Sequence, residues 1–303
     1  MTPIRPEFLP DASLSRDEME TMQRAIARKA QFRDRLGFDP EQIDLRRSPS
    51  DSATRSSSDR TPPRSTQQQL PGTPSDGDEA LTTDAAADSH ASLIAVADSQ
   101  PPLVAGVDQA FLDDSAISAV VVMQGGTVIE RTHAVTALST PYIPGLLSFR
   151  EGESIVAALE TLDCEPDLVC FDGSGRIHYR QAGLATHMGV VFDVPAIGIA
   201  KRLLCGTPRK PVDNRPAGWR IPIEATSRVD CPPETVIGYA YQSRQYDSST
   251  RHINPLYVSP GHRLSAETAV DIVARLCGEY KLPEPTRLAD SYADECKRQV
   301  ANS

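Results

Sequence analysis

Two aspartates stand where apolar runs end. Asp108 closes LVAGVD and Asp172 closes DLVCFD, short runs with the look of buried strands. If those strands are neighbours, both carboxylates emerge at one edge of a sheet. A third acid, Glu151, stands in FREGES, which reads as the approach to a helix. Carboxylates gathered in this way make a hard, oxygen-lined site suited to Mg²⁺. An ion held there can polarise a phosphate, activate water and steady a leaving oxygen. Each residue alone has an ordinary explanation, since Asp-Gly is a common turn dipeptide and a helix N-terminus favours an acid. Only the set points to chemistry.

Asp172 opens the segment DGSGRIHYRQAGLATHMG. Its glycines let backbone approach a ligand closely. Arg176, His178 and Arg180 alternate, so on an extended segment they share a face, and a basic face beside an acidic site suits a phosphodiester. A solvated loop with chance alternation is the plain alternative. Lys201 ends the apolar run PAIGIAK. Its ammonium can meet a phosphate or a developing charge, or simply snorkel from a strand end. Tyr142 and Ile143 sit between Pro141 and Pro144. A ring stiffened in this way can wedge between bases or anchor its own loop. His262, in VSPGH, stands just ahead of a helix N-terminus, where anions bind; the alternative is a structural loop histidine.

These residues need a scaffold. Ser15 and Glu18 form a capping box, and Met19, Met22, Ala25, Ile26 and Phe32 recur at helical spacing, which predicts a helix over 13–37 stopped by Gly37 and Pro40. LVAGVDQAF reads as a strand, and AISAVVVMQGGTVIERTHAV as a hairpin about Gly125-Gly126. Next come a helix over 153–163, a strand at DLVCFDG, a helix over 183–192, a strand at PAIGIAK and a hairpin over 219–225 and 235–241. A helix over 265–280, capped by Ser265, follows. Three antiparallel strands followed by βα units make an α/β fold, a ribonuclease-H-like mixed sheet flanked by helices. Residues 48–98 are different: Ser, Thr, Asp, Pro and Gln dominate, too few apolar groups to offset the entropy of ordering. The expected organisation is an N-terminal helical segment packing on the core (1–47), a disordered acidic insert (48–98), a catalytic domain (99–296) and a tail (297–303).

The 303 residues include 41 acidic against 31 basic side chains, a net charge of -10. That argues against a protein held on polyanions by bulk charge but leaves room for a local basic cleft. Residues 51–100 hold eight acids against three arginines and so supply half of the net charge. Only five of the basic residues are lysines; a Lys-poor, Asp-rich chain suits a salty cytoplasm. No apolar run approaches the ~18 residues of a membrane span. The opening residues lack the apolar stretch of a secretion signal, so a cytoplasmic protein without membrane contact is expected. Six scattered cysteines with no C-x-x-C pair argue against a zinc cluster and for free thiols in a reducing compartment.

The motifs AGVD (105–108), PYIPGLLSFREG (141–152), DGSGRIHYRQAGLATHMG (172–189), IGIAK (197–201), VSPGH (258–262) and LPEPTRLAD (282–290) cover nearly all of 103–290. In this order they resemble those of the endonuclease V family, the deoxyinosine-directed repair nucleases. The resemblance implies a ribonuclease-H-like fold and a Mg²⁺-dependent cut, with Mn²⁺ as a substitute ion. The cut falls at the second phosphodiester bond 3′ to deoxyinosine in DNA and leaves 3′-OH and 5′-phosphate. It implies that Asp108 and Asp172 hold the metal with Glu151 in support, and that Tyr142 is the DNA wedge. Backbone groups of Gly145, Leu147, Gly173 and Leu184 would read the extruded base, and His178, Lys201 and His262 would stand near the phosphate. Asp108, Glu151, Asp172, Lys201 and His262 are then the expected catalytic set. Flipping is cheap for a weakly pairing hypoxanthine. Tyr179 stands where the family usually has proline, which leaves the local loop shape open. The expected partner is inosine-containing DNA, bound by a monomer. Inosine in RNA is an alternative substrate, since no residue marks the 2′-OH. A non-catalytic binding module of the same fold is another, against which the intact Asp108, Glu151, Asp172 and Lys201 count. A nuclease for branched or hybrid substrates is a third, against which the PYIP segment counts.

Overall fold

The computed structural model of the chain describes residues 1–46, 100–138, 143–248 and 250–302. The expected insert at 48–98 and the expected wedge Tyr142 lie outside the described residues. Ser15 begins α1 (Arg16–Lys29) with the reciprocal capping box that the sequence foretells. β1 (Leu103–Leu112), β2 (Ser115–Gln124) and β3 (Thr127–Ala137) then form an antiparallel meander. α2 (Leu147–Glu160) crosses over to β4 (Leu168–Asp172), which pairs parallel with β1. α3 (Leu184–Phe192) crosses to β5 (Ala196–Ala200), parallel with β4. Such crossovers are what parallel neighbours require. β6 (Thr207–Pro208), β7 (Arg220–Glu224) and β8 (Val236–Tyr241) build the far edge, and β9 (Leu256–His262) joins it to β5 as an antiparallel partner of both β5 and β8. Two helices follow, α4 (Ala266–Leu276), capped by Ser265, and α5 (Glu284–Ala301). Among the described residues the nine strands make one sheet in the order β3-β2-β1-β4-β5-β9-β8-β7-β6, the mixed sheet flanked by helices that the pattern predicts.

Strand alternation decides which helix covers which face. Val107, Val169 and Phe171 pack against α1, α2 and α3, together with Phe8 of the N-terminal segment. Val104, Leu168 and Cys170 point the other way, toward α4, and α5 lies across β1 and β2 on that same side. Asp108 and Asp172 share parity with Val104 and Cys170, so both belong to the α4/α5 face. All six cysteines are unpaired.

Several boundaries differ from the sequence reading, each for a tertiary reason. α1 stops at Lys29, not at residue 37. Ala30 is extended, and the Gln31 N–H donates to His262 Nδ1 at 3.2 Å, which draws the chain off the helix before the local breakers. α2 starts at Leu147, six residues ahead of the expected 153, without a side-chain cap. β9 has no counterpart among the expected elements, because Pro260 and Gly261 inside it mask the strand pattern. α4 ends at Leu276 instead of 280. The expected tail is largely helical, since α5 runs through Ala301 with Cys296 buried beneath it.

α5 begins flat against β1. A Cβ at Gly106 would lie 2.1 Å from the Pro285 carbonyl carbon and 2.2 Å from its oxygen, and backbone cannot yield as a flexible side chain does. Gly106→Ala is therefore expected to displace α5 and cost about 1–3 kcal/mol, the usual penalty of overpacking. Urea unfolding measures this, and a midpoint equal to that of the parent chain contradicts the tight contact.

Candidate active site

β1 and β4 run side by side in parallel, with Val107 opposite Phe171. The next residue on each strand is an aspartate, so Asp108 and Asp172 leave the carboxyl edge of the sheet on the same face. Ligands gather at this edge in open α/β sheets. β5 brings Lys201 to the same edge, where Nζ donates to Asp172 Oδ2 at 2.7 Å. Asp108 is 8% exposed, and burial, then the charge of Asp172, push its carboxyl well above the ordinary carboxylate range. Burial works against the Lys201 ammonium, but the hydrogen bond and charge of Asp172, followed by the charges of Asp108 and Asp290, more than offset it and raise its pKa.

Glu151 arrives from the opposite helical layer. It lies in the second turn of α2, not ahead of the helix as expected. It is also 8% exposed. Burial raises its pKa to about 7, Arg150 opposes the shift, and Asp172 adds to it. A fourth acid, Asp290, comes from α5 and shares a hydrogen bond with Asp108. It lies five residues past Pro285, about 7.5 Å along the helix, so the close approach at Gly106 sets its position. Asp290 is not legible from LPEPTRLAD read as a motif alone; the signal lies in the helical spacing of Thr286, Ala289 and Ala293, which marks the buried face of the helix that carries it.

The donors are all oxygens, and Asp172 disfavours ionisation of the buried Asp108 and Glu151 carboxyls, a cost that a divalent cation would relieve. Among the described residues no three metal-binding groups are already gathered closely enough to enclose an ion. The two aspartates thus form an open, two-point site with Glu151 and Asp290 at its margins. Such a donor set fits Mg²⁺ or Mn²⁺ and not the thiolate or imidazole cages of zinc.

A cavity of about 90 Å³ opens beside this edge, lined by Gln23, Gly145, Leu147, Ser148, His178 and Leu184 among others. Gly145 holds φ at +83°, the left-handed region, and its carbonyl accepts from Gln23 Nε2 at 2.8 Å and from His178 Nε2 at 3.0 Å. Gly173 adjoins the cavity, since a Cβ there would lie 3.0 Å from Leu184 Cδ2.

A profile of the family described as Endonuclease V matches residues 88–291. The chain belongs to the endonuclease V family. Endonuclease V of Haloarcula marismortui is 54% identical over 98% of both chains. The similarity therefore reaches well ahead of residue 88. Among solved structures, endonuclease V of Streptomyces avermitilis is 34% identical, with a TM-score of 0.56 over 66% of this chain and 85% of that one. Endonuclease V of Ciona intestinalis, in complex with a 24mer DNA containing an inosine followed by a ribo-adenosine, is 26% identical. Its TM-score is 0.54 over 66% of this chain and 87% of that one. The chain is accordingly a nuclease by family. Among the described residues no helix is long and apolar enough to cross a membrane.

Two histidines stand away from the carboxylates. His262 is opposite Ala196 at the start of β5, whereas Lys201 follows its end. Five residues of strand separate the two ends by about 16 Å, so His262 is not gathered into the expected catalytic set. It donates from Nε2 to Asp193 Oδ1 at 3.0 Å, and Arg5 binds the same oxygen. His178 is buried in the cavity wall, with Nδ1 accepting from the Arg180 N–H at 3.2 Å. The basic face expected of Arg176, His178 and Arg180 does not form. The segment is irregular, Arg176 stacks on Phe32 at 4.4 Å and Arg180 pairs with Glu20 at 2.6 Å.

His178, His187 and His262 share one device. In each, Nε2–H donates and Nδ1 accepts; His187 donates to Phe8 O at 2.7 Å and faces the Ser148 hydroxyl at 2.8 Å. A second proton would destroy the accepting half of each pair. Burial holds His178 and His187 down at about 4 and lowers His262 as well, against the pull of Asp193. Unfolded histidine titrates near 6.5. Below that pH the unfolded chain binds protons that the folded chain refuses, so stability falls with pH. We expect full stability above about pH 6.5 and a steep loss as pH falls toward about 4. Chemical denaturation at pH 7.5 and 5 reads this directly, and His187→Gln should flatten the dependence.

Proposed function

We propose that this protein cuts DNA at deaminated adenine, at the second phosphodiester bond 3′ to deoxyinosine, leaving 3′-OH and 5′-phosphate. The observation that carries the reading is the convergence of Asp108 and Asp172 on one sheet edge with Lys201 bonded to Asp172. The Ciona relative's complex with inosine-containing DNA supports the lesion class. Asp108 and Asp172 would hold Mg²⁺ or Mn²⁺, flanked by Glu151 and Asp290. When bound, such an ion supplies Lewis-acid polarisation of the phosphate. Glu151, with a pKa near neutrality, is matched to accept the proton of the attacking water. The Lys201 ammonium offsets the charge that grows on the phosphate oxygens, and the leaving 3′ oxygen takes its proton from solvent. The cavity beside Gly145 receives the extruded base, read by backbone groups at Gly145, Leu147, Gly173 and Leu184.

A limited cationic surface serves the phosphate backbone. Arg28, Lys29 and Arg33 border a groove past the end of α1, are exposed, and form no ion pair among the described residues. The same reading has the protein act as a monomer in the cytoplasm, where six unpaired thiols remain reduced.

With Mg²⁺, the parent chain is expected to nick a deoxyinosine oligonucleotide, and Asp172→Ala to lose at least roughly 100-fold in rate. Equal cleavage by both overturns the proposal, and preferential cleavage of inosine RNA moves it to an endoribonuclease. Binding should also tolerate salt. Three phosphate contacts give a log–log slope of about -3, against -8 or steeper for a many-phosphate binder; fluorescence anisotropy between 50 and 500 mM KCl distinguishes the two.

A further inference from the structure

Directly after Asp108 the chain carries Gln109, whose side chain leaves the opposite face of β1, toward α2. The two N–H groups of its Nε2 are shared among Ser118 Oγ at 2.8 Å, Ser154 Oγ at 3.0 Å and the backbone oxygen of Glu151 at 3.1 Å. Ser154 Oγ donates to that same Glu151 oxygen at 2.9 Å, and the two serine hydroxyls meet at 2.7 Å. Ser118 is the residue paired opposite Gln109 on β2. Ser118 and Ser154 are almost fully buried. At its other end the unit touches the aspartate site, because the Gln109 backbone N–H donates to Asp108 Oδ1 at 2.7 Å.

The network lies in the buried part of an interface that is otherwise apolar there, the other ties between α2 and β3 being exposed ones at the far end of the helix. Ile155 and Leu159 of α2 pack on Val107 and Val120, and such contacts hold a helix on a sheet without fixing its position along the strands. Directional hydrogen bonds do fix it. A buried polar group also needs partners to avoid a desolvation cost, and aliphatic side chains would fill this space without that requirement. The polar trio therefore supplies something that packing does not, namely the placement of the Glu151 backbone relative to Asp108.

We infer that Gln109, with Ser118 and Ser154, is a positioning unit that sets the Glu151 carboxylate against the Asp108–Asp172 pair. The inference rests on the proposed phosphodiester cleavage for its activity readout, but not for its structural one. Gln109→Leu keeps the bulk and removes the donors. We expect kcat to fall roughly 10- to 100-fold, as a misplacement of about 1 Å produces, with KM within about twofold, since loss confined to the transition state leaves KM alone. In a Glu151→Gln background the same change should have almost no further effect on kcat, because it acts only through Glu151. Hydrogen–deuterium exchange on the metal-free protein should show faster exchange confined to residues 148–155.

Equal losses in both backgrounds, or an unchanged kcat, overturn the inference, as does unaltered exchange at 148–155. If Gln109→Leu does not fold, Ser154→Ala removes a single hydroxyl and runs through the same cycle. If the parent chain leaves deoxyinosine DNA intact, the functional proposal fails on its own, and the exchange experiment still decides the positioning role.

Discussion

Two acidic side chains brought together by strand register are the constraint around which this molecule is organised. Parallel pairing of β1 and β4 leaves Asp108 and Asp172 no choice of neighbour. Burial of Asp108 and the charge of Asp172 beside it disfavour ionisation of the Asp108 carboxyl. The fold tolerates this because Lys201 bonds to Asp172 and because Asp108 shares a hydrogen bond with Asp290. An aspartate pair of this kind contributes little to stability, and its persistence at a sheet edge is better explained by what it can hold than by what it holds together.

The surrounding elements deliver each group from a different direction. The strands supply the aspartates and the lysine, α2 supplies Glu151 from one face, and α5 supplies Asp290 from the other. Non-directional packing fixes neither helix finely enough. α5 takes its position from backbone pressed against Gly106, and α2 from hydrogen bonds to Gln109. Remote histidines do similar work without touching the chemistry. His262 ends α1 and ties Asp193, while His178 braces Gly145 in the cavity wall.

Much of this was legible in the chain itself. Asp108 and Asp172 could be found because a buried strand ending in an acid is a local pattern, and the α1 cap because Ser15 and Glu18 sit three apart. The start of α2 was obscured by Gly152 and by the absence of a capping side chain, which placed Glu151 outside its helix. β9 is hidden by Pro260 and Gly261, so the spacing places His262 ahead of a helix N-terminus, while the structure places it in β9 at the far end of β5 from Lys201. Arg176, His178 and Arg180 alternate in sequence, but alternation means a shared face only on a strand, and this segment is not one. Asp290 and Gln109 matter through neighbours far along the chain, a property that spacing does not encode.

The amide of Gln23 joins α1 to the carbonyls of Gly145 and Ala182, and Arg180 donates back to its oxygen. One side chain near the beginning of the polypeptide thereby clamps two loops that lie more than a hundred residues downstream. The roof over the cavity is thus assembled from sequence that reaches the catalytic sheet only through tertiary docking. Loss of that one amide would therefore loosen both loops at once.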